Sequence, residues 1–135
     1  MTVDIFNDFA TNAVAETDGV WVEYSGEVSF LIARAGNKKF GRNFMKLYTA
    51  NRRILEVKGA TAEAKAEEIN LKTMSENILV GWKGPVMYKG ELMGDYSPEK
   101  AAKMLAHKDF ARWVAEQSED MSKFKLVQDE EDAGK

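Results

Sequence analysis

The sequence has no cysteine, one histidine and two prolines in 135 residues. Without cysteine there is no disulfide framework, thiolate nucleophile, iron–sulfur cluster or cysteine zinc site. A single imidazole, His107, excludes a metal centre built on several histidines and leaves little for triad chemistry. Two prolines and ten scattered glycines exclude long linkers and collagen-like segments. No apolar run approaches the ~20 residues that span a bilayer. The first residues, Met1-Thr2-Val3-Asp4, are acidic and lack a signal-peptide core, so the expected location is the cytoplasm. The P-loop, dinucleotide-fold, zincin and nucleophile-elbow motifs are missing as well. The expectation is a protein that is not an enzyme and holds no cofactor or metal.

What remains is an ordinary globular composition, 44% hydrophobic and 30% charged. A chain of this length buries about two-thirds of its unfolded surface in one core. Its net charge of −3 is unevenly spread. Residues 1–35 carry six acids against Arg34 alone, and residues 36–58 carry seven bases against Glu56. Asp129, Glu130, Glu131 and Asp132 then face only Lys135 in the last nine residues. Such alternation predicts either segments that attract one another or a surface that recognises charged partners.

Periodicity sets the expected layout. Val20–Tyr24 and Glu27–Arg34 alternate around Ser25-Gly26, which predicts an antiparallel hairpin over about 20–34. Asn37 is placed to cap a helix over about 37–55, with Phe40, Phe44, Leu47 and Leu55 on its apolar side. Thr61 is expected to cap a second helix over about 61–80, whose stripe Leu71, Met74, Ile78, Leu79 and Trp82 is strongly periodic. Trp82 then closes the core where that helix stops. Gly81–Pro85 breaks the pattern, and Val86–Asp95 reads as a loop with room for one strand at Val86-Met87-Tyr88. Ser97-Pro98 opens a helix over about 98–106, and Asp109 one over about 109–122. The fold class is α+β and mostly helical. The N-terminal antiparallel β-hairpin packs on about four α-helices in a single domain, 1–126, followed by a disordered acidic tail, 127–135.

Few residues carry chemistry. His107 beside Asp109 reads as a helix-end histidine, and Glu63, Glu67 and Glu68 read as a solvated helix face. Arg42, Lys46 and Arg53 are candidate partner-binding residues, for acidic protein segments or for phosphates with Tyr48 as a stacking ring. The acidic balance of the chain weighs against nucleic acid. Seven methionines include Met87 and Met93, which flank a glycine-containing loop and are candidate contacts for varied apolar partners.

Asp8-Phe9-Ala10-Thr11, Gly19-Val20-Trp21-Val22 and Phe30–Asn37 are followed by Ile78–Gly84 and Tyr96-Ser97-Pro98-Glu99. In that order, across roughly residues 6–115, they resemble the tail assembly chaperones of long-tailed (siphovirus-type) bacteriophages. The resemblance implies a non-catalytic protein that binds the tape measure protein and keeps it soluble for tail tube assembly. It implies the host bacterial cytoplasm as location and absence from the mature virion. It also implies a homo-oligomer and a longer frameshifted product, through which the tail tube protein would be a further partner. The genetic code permits a slippery run at Gly134-Lys135. A virion head–tail connector component and a nucleic-acid-binding regulator are the alternatives, and no membrane partner is expected.

Overall fold

The computed structural model describes residues 2–126. Two short helices open the chain, α1 (Ile5–Phe9) and α2 (Ala13–Asp18), capped by the side chains of Asp4 and Asn12. Strands β1 (Val20–Ser25) and β2 (Val28–Ile32) form the expected antiparallel hairpin. Its turn falls at Gly26-Glu27, one residue later than the sequence spacing predicts, because the register slips between Glu23 and Ser25.

The basic region forms two helices where the periodicity predicts one, α3 (Lys38–Ala50) and α4 (Arg52–Glu56). Asn37 caps α3 through the Phe40 amide as expected. The break comes from Asn51, whose side-chain amide donates to the Leu47 carbonyl at 2.8 Å while its backbone N–H uses the same turn. Side-chain amides that compete for helix carbonyls end helices in this way.

The larger correction concerns residues 61–80. Helix α5 (Ala60–Asn77) follows Gly59 without a side-chain cap, leaving Thr61 inside its first turn, and stops at Asn77. Leu79–Lys83 is strand β3, which pairs antiparallel with β2. Leu79 and Trp82 match both a helical stripe and a buried strand, and the free edge of β2 decides between them. The sheet order is therefore β1-β2-β3, with Phe30 opposite Trp82 and Ile32 opposite Leu79. Gly84, just beyond β3, has φ +95, and a Cβ there would lie 2.3 Å from the Glu27 carbonyl oxygen. Glycine alone permits the strand to pass that turn.

The strand for which Val86-Met87-Tyr88 left room is present as β4 (Met87–Tyr88), and it pairs with an unexpected strand, β5 (Glu91–Leu92), in a second hairpin. Lys89 and Gly90 both have positive φ, the two-residue turn that matches strand twist. Helix α6 (Pro98–Leu105) starts on Ser97 as the sequence predicts, its hydroxyl accepting from the Lys100 amide. Helix α7 (Lys108–Glu119) begins one residue before Asp109 and ends three residues short of 122. A 3₁₀ turn, Met121–Phe124, follows and buries Phe124. The α+β class holds, with a third strand added to the hairpin and seven helices among the described residues. The acidic tail expected over 127–135 lies outside them.

One face of the sheet meets the helices. Val22, Phe30, Ile32, Leu79 and Trp82 pack with Met74, Met93, Met104, Leu105 and Val114. Trp82 is 8% exposed, and its indole N–H donates to the Gly94 carbonyl at 2.8 Å. It fills the core from a strand instead of from a helix end. Trp21, on the other face, is 49% exposed and lies under the Lys83 ammonium, 4.4 Å from the ring centroid.

The N-terminal helices are tied to the sheet by polar contacts. Glu16 accepts from the Thr11 hydroxyl and from the Arg34 guanidinium, while its carbonyl takes the Arg34 amide at 2.9 Å. The Thr11 hydrogen bond, with Arg34 beside it, holds the Glu16 carboxyl below its usual range against the opposing effect of partial burial.

Two measurements check these contacts. Trp82→Ala is expected to cost about 3–5 kcal/mol in a urea titration, a large share of a small domain's stability, and Trp21→Ala less than about 1 kcal/mol. Because the Glu16 pKa is depressed on folding, its contribution is complete above the unfolded value and fades as pH falls through the folded one. Between about pH 5 and pH 3 the wild type should therefore lose more stability than Glu16→Gln.

Candidate functional site

Phe30 organises a cluster of rings at the tip end of the sheet. Its centroid lies 5.6 Å from Tyr24 on β1, 5.4 Å from Phe110 and 5.8 Å from Trp113 on α7. Tyr24 meets Trp113 edge-on at 5.2 Å, and Phe110 stacks near Trp113. Such offset and edge-to-face geometries hold rings firmly. Between these rings, strand β4 and the start of α7 the surface stays open. The result is a cleft of about 420 Å³ lined by these rings with Met87, Tyr88, Met104, His107 and Asp109. Met87 stands at its edge, 59% exposed. Its cross-strand partner Leu92 is also exposed.

Chemically, the cleft is an apolar receptacle with a polar corner. Flexible methionine beside fixed rings suits side chains of varied shape. His107 is the residue that precedes α7 at this corner, and Asp109 is already held by Arg112 at 3.0 Å. Among the described residues, no group of three or more His, Asp or Glu is placed to hold a metal ion. No described helix is long and apolar enough to cross a membrane.

The sequence-predicted residues separate into three places. Met87 belongs to the cleft. Met93 is 5% exposed and sits in the core, where its N–H bonds the Val86 carbonyl at 2.8 Å. That burial corrects its expected exposure beside Met87. Arg42 and Lys46 are exposed on α3, while Arg53 lies beyond the Asn51 break on α4, so no continuous helix face joins the three. Neither α3 nor α4 buries a residue. Phe40, Phe44 and Tyr48 stack in succession along α3, with Tyr48 at the exposed end.

Tyr24, Tyr88, Phe110 and Trp113 were not singled out by sequence patterning. In their strands and helices they occupy positions that read as core, and their shared cleft arises only when β1, β2, β4–β5 and α7 meet.

Residues 35–135 match a family model described as YdaY prophage protein. The matched stretch contains the cleft residues of β4 and α7 and the whole basic arm, but not Tyr24 or Phe30. No curated protein and no solved structure matches the chain.

The exposure of the arm has a direct energetic consequence. Arg42 and Lys46 make no ion pair among the described residues, so Arg42→Glu with Lys46→Glu is expected to leave the urea midpoint within about 0.5 kcal/mol of wild type.

Proposed function

The chain belongs to the YdaY prophage protein family and is of phage origin, and on that premise we propose that it is a non-catalytic tail assembly chaperone. In this reading it works in the host bacterial cytoplasm, covers apolar stripes of the tape measure protein as a homo-oligomer, and is left out of the virion. The observation that carries the reading is the open aromatic cleft with Met87 at its edge. A groove of this kind takes the apolar face of an amphipathic helix.

Magnitudes fit the task. The cleft has room for one or two large apolar side chains, and burying each gives roughly 1.5–3 kcal/mol. One copy alone then binds at about the millimolar level, while many copies along one long partner hold it by avidity. Weak individual grips suit a cover that tail tube subunits displace. The order of short motifs, which resembles that of phage tail assembly chaperones, supports the same reading.

Co-expression tests it. The tape measure protein of the same prophage should remain soluble with the wild-type chain and pellet with Met87→Asp, whose own stability should not change. Equal pelleting with and without the wild-type chain would reject the chaperone reading. Abundant copies in purified virions would favour a connector component instead.

A further inference from the structure

Among the described residues, every cation outside the α3–α4 arm except Lys125 has a partner. Arg34, Lys65, Lys72, Lys103, Lys108, Arg112 and Lys123 each meet a carboxylate. Lys83 and Lys89 lie over rings, and Lys100 donates to the Asp95 carbonyl. On the arm, only Arg52 has an ionic partner among the described residues, Glu56 at 3.2 Å. Lys38, Lys39, Arg42, Lys46, Arg53 and Lys58 are all exposed without one. Lys38 and Lys39 occupy the first turn of α3, where no acid is present and the helix dipole adds further positive potential.

We propose that the acidic segment Asp129–Asp132 of the same molecule docks on this arm, against Lys38, Lys39 and Arg42, as a displaceable cover. Charge points to this occupant. Residues 36–58 have a surplus of six positive charges, and Asp129–Asp132 is the densest run of acid in the sequence. Reach agrees with it. The Ala35 N–H donates to the Ser118 carbonyl at 2.9 Å, which sets the end of α7 against the turn that leads into α3. The Leu126 N–H is held on the Ala10 carbonyl at 3.1 Å, and the next residue, Thr11, accepts from the Arg34 guanidinium just before that turn. Six residues beyond Leu126 span up to about 20 Å, enough to reach the first turns of α3.

Tethering favours the molecule's own arm over a neighbour's, because a short linker presents the acids at an effective concentration of roughly millimolar. A nucleic acid is the poorer occupant, since the rest of the chain is strongly acidic and repels a polyanion. The inference is independent of the aromatic cleft. Its consequence is that an acidic partner segment must displace the chain's own before it gains the arm.

The absence of cysteine makes a clean test available. Ala133→Cys takes one nitroxide spin label, and amide signals of the isotope-labelled full chain report its distance. At low salt, the signals of Lys38–Arg42 should broaden and recover on reduction of the label. Broadening should vanish at about 1 M salt, where the Debye length is about 3 Å. It should also vanish when Asp129–Asp132 are replaced by lysines, and return when Lys38, Lys39 and Arg42 are changed to glutamate in that variant. Unbroadened arm signals at low salt would overturn the proposal. So would broadening seen only when spin-labelled and isotope-labelled chains are mixed, which would place the segment on a second copy.

Discussion

Buried Asn77 is the joint on which the fold turns. Its side-chain N–H donates to the Thr73 carbonyl at 3.1 Å, and its side-chain oxygen accepts from Asn43 at 2.9 Å. Its own carbonyl receives Asn37 at 3.3 Å, and the same Asn37 amide holds the Arg34 carbonyl at 2.7 Å. A buried amide left unpaired costs about 1–3 kcal/mol, so these contacts stand or fall together. They fix where α5 stops, where α3 starts, and how both meet the end of β2. With α5 ended there, Ile78 presents its carbonyl to the Ala33 N–H at 2.8 Å and the chain continues as β3. The arm, the sheet and the core all take their positions from that corner.

Binding surfaces in this protein arise where packing stops early. Phe30 is buried, and the rings of β1 and α7 around it line the open cleft. On the arm, α3 and α4 rest on α5 without burying any residue of their own. Their bases remain in water, where they add little to stability and much to long-range attraction. Stability and recognition are thus assigned to different residues, with Trp82 and Met93 serving the core and Met87 serving the surface.

The parts legible in the sequence are those decided locally. Asn37 and Ser97 cap helices through amides three residues away, and the β1–β2 hairpin follows from alternation around a short turn. Residues 78–82 were not legible, because their spacing satisfies both a helix and a strand. A strand edge distant in sequence made the choice. Asn51 broke the basic helix by a side-chain bond that periodicity does not register. The Lys89-Gly90 turn lacks the asparagine or aspartate that usually announces a two-residue hairpin. For the site, Met87 was found from exposure-tolerant chemistry at a loop, whereas Met93, six residues later, was carried inward by the return of the hairpin. Tyr24 and Trp113 look like core residues one element at a time.

The pairing of β2 with β3 has a consequence for how the protein is made. The two strands are separated in sequence by α3, α4 and α5, so their ladder closes a long loop. During synthesis the β1–β2 hairpin leaves the ribosome well before β3, and a hairpin without further strands is marginal in water. Phe30 waits for Trp82, and then for Phe110 and Trp113, before its ring is covered. The nascent chain therefore carries an open aromatic face through most of its own translation, and the core closes only after α7 has emerged.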